Sequence, residues 1–166
     1  SWAYSILGQI YVVLPLALLG VWGYKSDYQL FMNTEYLLMA LFVFVWTNDT
    51  GAYIVGCTLG KHRLFERISP KKSWEGFFGG LAFCIILASL ANYIIPGMLS
   101  TAQWIGMGIL TSIFSTWGDL CESLLKRTAG VKDSGKILPG HGGILDRFDS
   151  ELIASPVIFI YLTFVL

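Results

Sequence analysis

Of the chain's 11 acidic and 11 basic residues, five of each fall between Trp117 and Asp149. The carboxylates are Asp119, Glu122, Asp133, Asp146 and Asp149, and the cations are Lys126, Arg127, Lys132, Lys136 and Arg147. Asp119, Glu122, Ser123 and Lys126 recur at i, i+3, i+4 and i+7, the spacing of one helix face, while Leu120, Cys121, Leu124 and Leu125 fall mostly on the other side. Acid, hydroxyl and cation therefore share a face. In Pro139-Gly140-His141-Gly142-Gly143 no side chain obstructs the glycine N–H groups, so they can approach an anion closely. Asp146-Arg147-Phe148-Asp149 then sets two more carboxylates three residues apart, just ahead of an apolar run. Oxygen ligands for a hard cation and bases for phosphate are gathered in one stretch.

Other chemistries lack their residues. No Ser-His-Asp or Cys-His constellation is present. Gly56-Cys-Thr-Leu-Gly60-Lys61-His62 has three residues between its glycines where a phosphate loop needs four, and His where that loop needs Ser or Thr. No dinucleotide fingerprint follows a strand. Cys57, Cys84 and Cys121 are far apart and within or beside apolar segments, so they read as small buried hydrophobes.

The elements that must position these groups belong in a bilayer. Across 166 residues, 55% are hydrophobic and only 13% charged, with a mean hydropathy of +0.64, whereas a soluble domain carries about 25% charge. Zero formal net charge gives no field that calls for nucleic acid. Residues 2 to 23 carry no charge and are long enough to cross about 30 Å of hydrocarbon as a helix. With it, apolar runs at 36 to 46 resuming at 52 to 60, about 76 to 95, from 103 into the Asp119 helix, and from 153 to the end give five expected spans. The second is interrupted by Asn48-Asp49, which puts Asp49 at membrane depth at a cost of about 2.5–3.5 kcal/mol unless it faces a polar cavity. Ser69-Pro70 reads as a turn or helix start, and Pro156 falls near the first turn of the fifth span. Gly56 and Gly60, and Gly76 and Gly80, fit close helix packing. The expected fold is all-α, a polytopic integral membrane helical bundle with polar loops, counted as one domain over residues 1–166. Of the Lys and Arg residues, Lys25 alone falls on one side, so the positive-inside rule places both polar blocks in the cytoplasm.

At these residues the sequence resembles a known family. Ser123-x-x-Lys126-Arg127, Lys132-Asp133, Pro139-x-His141-Gly142-Gly143 and Asp146-Arg147-Phe148-Asp149 are similar to the signature of the phosphatidate cytidylyltransferases. Asp49-Thr-Gly-Ala-Tyr53, Gly56-x-x-x-Gly60-Lys61 and Ser69-Pro-Lys-Lys-Ser-Trp-Glu-Gly76 resemble that family's other polar region. The resemblance implies further apolar helices upstream, so the chain reads as the C-terminal part of a longer protein. It also implies transfer of CMP from CTP to phosphatidate with release of pyrophosphate, a magnesium cofactor with a second cation left open, a homodimer, and an inner membrane of bacterial type with the site facing the cytoplasm. It makes Asp119 and Asp146 the metal ligands, with Lys126, Arg127, His141 and Asp149 as further catalytic groups. Ser123, Lys132, Asp133, Gly142, Gly143, Arg147, Lys71, Lys72 and Asp49 fall to substrate or phosphate binding, with Lys71 and Lys72 equally suited to a lipid headgroup or a nucleotide phosphate. Asp149 also reads as a cap on the fifth helix. Two alternatives stay open: a CTP-dependent membrane enzyme acting on another lipid or polyprenol phosphate, and a transporter or channel using Asp49 as an ion site.

Overall fold

The computed structural model describes residues 2, 8–23, 34–128, 130–131 and 145–166. A π-helical turn, Gln9–Val13, leads into α1 (Leu14–Gly23). Then follow α2 (Thr34–Leu59), α3 (Trp74–Ile94), α4 (Thr101–Thr128) and α5 (Leu145–Val165). Between α2 and α3 lies a small antiparallel hairpin of β1 (Arg63–Phe65) and β2 (Ser69–Ser73), which pairs Arg63 with Ser73 and Phe65 with Ser69.

Three helical stretches among the described residues are long and apolar enough to cross a membrane: Tyr36–Leu59, Trp74–Ile94 and Phe148–Val165. Ile10–Val21 is apolar but shorter. The chain is thus a helical, polytopic membrane bundle, as its composition requires. The helix expected from Gln103 into Asp119 is continuous, and its 28 residues reach about 42 Å at 1.5 Å per residue. Its composition is not that of a simple span, because its buried stripe includes Thr111, Ser112, Ser115, Thr116 and Glu122. α4 can carry that stripe because it packs between α3 and α5, where protein rather than lipid meets it.

Packing has two zones. Leu37, Leu41, Phe44 and Val45 of α2 meet Cys84 and Ala88 of α3, Trp104 and Met107 of α4, and Ala154, Ile158 and Leu162 of α5 in an apolar core. Toward the charged end, small residues let backbones touch. A Cβ at Gly76 would stand 2.8 Å from the Ala52 carbonyl, and one at Gly79 would collide with the Val55 side chain. At Gly118 a Cβ would stand 2.6 Å from the Asp149 carbonyl, so α4 and α5 are equally close there. Of the glycine pairs read from sequence, Gly56, Gly76 and Gly80 lie at this α2–α3 contact, while Gly60, just past α2, faces the Gly56 carbonyl and the Ser73 hydroxyl.

Five expectations are corrected. Ser69-Pro70 opens β2 instead of a turn or helix; proline's missing N–H is tolerated because a two-stranded hairpin leaves an open edge on each strand. α5 starts at Leu145, two turns before the apolar run, since Asp146 in its first turn suits the positive end of the helix dipole. Asp149 is therefore inside the helix and not its cap, and Pro156 sits mid-helix, where no N–H reaches back to the Leu152 carbonyl. Cys57 is exposed, unlike buried Cys84.

Gly79→Val should destabilise the bundle by about 1–3 kcal/mol, the usual cost of overpacking, seen as a lower thermal midpoint in detergent; an unchanged midpoint would mean the α2–α3 contact is not this close.

Candidate functional site

The hairpin is tied down before it can position anything. Ser73 caps α3, its Oγ accepting from the Gly76 N–H (3.1 Å). The Trp74 N–H donates to the His62 carbonyl (3.0 Å), while the Glu75 carboxylate takes the His62 N–H (3.2 Å) and lies 2.6 Å from its ring Nδ1. Both ends of the hairpin are thus bound to the first turn of α3. Along β2 burial deepens toward α3: Lys71 is exposed, Lys72 is partly buried and Ser73 is buried.

Lys72 reaches across to α4. Its Nζ lies 2.6 Å from Asp119 Oδ2 and 3.5 Å from the Thr116 carbonyl. Asp119 Oδ1 also accepts from Ser123 Oγ (3.2 Å), the helical i+4 partner anticipated from spacing. Asn48, Asp49, Tyr53, Lys71, Lys72 and Asp119 line a cavity of about 260 Å³ between α2, α3, the hairpin and α4. Asp49 does face a polar cavity, as its depth required.

One helical turn or two further along α4 stands a second charged group. Lys126 Nζ lies 3.0 Å from Glu122 Oε2 and 2.8 Å from Asp146 Oδ1, joining α4 to the start of α5. Glu122 is only 1% exposed and its Oε1 is buried with no hydrogen-bond partner. Burial, with Asp149 beside it adding to the effect and Lys126 opposing, pushes the Glu122 carboxyl up to about 7. Burial works against the Lys126 charge, but its contacts with Asp146 and Glu122 prevail and hold its pKa above the ordinary lysine value. The Tyr11 hydroxyl, also buried without a partner, lies within electrostatic reach of Glu122, Asp149 and Asp119.

The structure therefore brings together Asp49, Lys71, Lys72 and Asp119 in one place, and Lys126 and Asp146 in another, where α4 meets the start of α5. Arg127 stands apart, lining a surface hollow with Arg63 and Arg67 of the hairpin. Lys132, Asp133, His141, Gly142 and Gly143 lie outside the described residues, as does the side chain of Arg147. Sequence reasoning passed over Asn48, Thr116 and the burial of Glu122. The available signal was polarity: Asn48 and Ser112, Ser115 and Thr116 interrupt otherwise apolar helices, where a polar side chain needs a protein partner.

Metal fit can be judged from the donors. Among the described residues no three His, Cys, Asp or Glu side chains converge as a ready-made cage. Magnesium needs none, since it is usually held by one or two carboxylates together with water and substrate phosphates. Carboxylate oxygens of Asp119 and Asp146, with the unpartnered Glu122 Oε1 nearby in the fold, are the hard donors it takes.

Comparison with known proteins identifies the family. Residues 1–165 match the cytidylyltransferase family. A phosphatidate cytidylyltransferase of Staphylococcus aureus (strain COL) is 41% identical over 160 residues, covering 96% of this chain and 61% of the relative. One from Staphylococcus haemolyticus is 41% identical over 159 residues with the same coverage, and one from Staphylococcus epidermidis is 40% identical over 159 residues. The chain spans about three-fifths of the length of these curated relatives (61%).

Glu122 binds its proton more tightly folded than unfolded, so the folded state holds more protons between its ordinary value of 4.5 and about 7. Its contribution to stability is full below the lower value and is lost as pH rises through the upper one. Glu122→Gln should lack this decline: its stability relative to the parent should rise from pH 4.5 to 7 in thermal unfolding, and parallel curves would contradict it.

Proposed function

This chain belongs to the cytidylyltransferase family, and on that premise we propose that it transfers CMP from CTP to the phosphate of phosphatidate, giving CDP-diacylglycerol and pyrophosphate. The observation that carries the reading is the match of 41% over 96% of the chain to phosphatidate cytidylyltransferases. The paired charges of the site support it, because the reaction must bring two polyanions together.

The acceptor needs no general base. A phosphate monoester has a second pKa near 6, so at neutral pH its oxygen is already an anion. The obstacles are repulsion between substrates and the charge that builds on the departing pyrophosphate. Lys72 and Lys126 are held at the cavity and at the α4–α5 junction by Asp119, Glu122 and Asp146. Cations fixed in advance in this way need not be reorganised when phosphates arrive. The Asp149 and Asp49 carboxylates would repel such substrates unless countered. Asp119 and Asp146 would hold magnesium, which when bound neutralises phosphate oxygens and orients them. Lys71, Arg127 and Ser123, with Lys132, Asp133, His141, Gly142, Gly143 and Arg147, complete the proposed phosphate and substrate contacts.

The site would face the cytoplasm of a bacterial-type inner membrane, since the hairpin, the end of α4 and the start of α5 carry most of the Lys and Arg residues. The lipid tails would stay in the bilayer while the headgroup enters the cavity beside Asp49. A homodimer is part of the same proposal.

Pyrophosphate release from CTP by the purified protein should require both phosphatidate and magnesium, with CMP recovered on the lipid. Asp119→Asn and Asp146→Asn should each lower turnover at least about a hundredfold, as losses of transition-state charge stabilisation do, while the protein stays in the membrane. CMP appearing on a polyprenol phosphate instead would redirect the acceptor, and no transfer to any lipid phosphate would overturn the reading.

A further inference from the structure

Asn48 is 2% exposed in the middle of α2, and each end of its amide meets α4. Ser112 Oγ donates to Asn48 Oδ1 (2.6 Å). Asn48 Nδ2 donates to Ser115 Oγ (3.1 Å) and to Thr116 Oγ1 (3.4 Å). The hydroxyls of Ser115 and Thr116 in turn donate to the Ser112 carbonyl, at 3.2 and 2.9 Å. From the third side α3 closes on the same amide, because a Cβ at Gly80 would stand 2.5 Å from Asn48 Oδ1 and 2.7 Å from its carbonyl. One side chain thus fixes α2, α3 and α4 against each other.

What that junction holds is the proposed site. Asn48 is followed directly by Asp49, and Thr116 precedes Asp119 by three residues on the same helix face. Asn48, Asp49, Thr116 and Asp119 all line the cavity. The Thr116 carbonyl is the second acceptor of Lys72, whose first is Asp119. Sliding α2 by one residue along α4 would move Asp49 by about 1.5 Å, and misplacements of that order cost about a hundredfold in rate where reacting groups must be aligned. Apolar side chains at this junction would pack the helices but would not select one register, whereas an amide with three hydroxyl partners does.

We propose that Asn48 is a positioning residue for the nucleotidyl transfer: through Ser112, Ser115 and Thr116 it sets the register that brings Asp49 of α2 opposite Asp119 and its Lys72 partner. This inference rests on the reading of the chain as a CTP-dependent transferase acting on a lipid phosphate.

The test separates holding the helices together from setting their register. Asn48→Leu alone strands the Ser112 hydroxyl, leaves those of Ser115 and Thr116 without the amide that donates to them, and should lower both thermal stability and turnover. Combining it with Ser112→Ala, Ser115→Ala and Thr116→Val removes the stranded groups, so thermal stability should recover. Turnover should not: kcat should remain at least about tenfold below that of the parent, with KM for CTP and for phosphatidate within about twofold, as expected for lost alignment. Recovery of kcat together with stability would overturn the proposal and leave Asn48 a packing residue. Should the combined variant fail to fold, Gly80→Ala pushes the amide from the α3 side while leaving every hydrogen-bonding group in place. A folded Gly80→Ala protein with parental kcat would equally overturn the proposal, and a tenfold loss at unchanged KM would support it. If the parent protein itself transfers no CMP, the functional reading fails and takes this inference with it; a parent that turns over alongside undiminished variants sinks this inference alone.

Discussion

The ion pair of Lys72 with Asp119, at 2.6 Å, joins the only extended segment among the described residues to the most polar helix. Both side chains are still partly reached by water, and pairs screened by solvent contribute about 0.2–1 kcal/mol, so the pair's importance is geometric. A lysine on a free loop would spend little time at one carboxylate. Here the loop is a hairpin whose two ends are fixed to α3 by the Ser73 cap, the Trp74 to His62 backbone bond and the Glu75 clasp on His62. The charge of Lys72 can then be held where α2, α3 and α4 meet.

The same economy governs the bundle interior. Hydrocarbon offers no partner for a polar group, so each one at depth must find protein. Asn48 answers with Ser112, Ser115 and Thr116; at the charged end, where protein burial replaces hydrocarbon, Glu122 and Asp146 answer with Lys126. Interhelical hydrogen bonds in membranes average only about 0.6 kcal/mol. They discriminate among packings more than they stabilise any one, because every wrong register leaves some of them unmade. Glycines at 76, 79, 80 and 118 serve the same end by letting the backbones approach until those short polar side chains can touch.

For a site that must receive two anions, an excess of fixed carboxylates looks adverse. It becomes workable because the carboxylates hold the lysines. Lys72 and Lys126 are each oriented by at least one acid, and hard oxygen donors remain for a divalent cation. Glu122, with one oxygen unpartnered and its carboxyl raised to about 7 by burial, is the least settled of these acids in the folded chain.

Much of this was legible in the sequence. Helical spacing placed Asp119, Ser123 and Lys126 on one face, apolar runs marked the spanning helices, and the depth of Asp49 demanded a polar cavity. Motif spacing was enough to suggest the family. These features are local, depending on residues a few positions apart or on the preference of a segment for hydrocarbon. The chain alone did not show that Ser69-Pro70 extends as a strand, that α5 begins at Leu145, or that Lys72 meets Asp119 across 47 positions. Nor did it separate Arg127 from Lys126, although they are adjacent. Those outcomes follow from which helix face meets which neighbour, and that is decided by the close approach at the glycines and by the amide of Asn48. Both act between segments far apart in sequence, so only the tertiary structure could decide them.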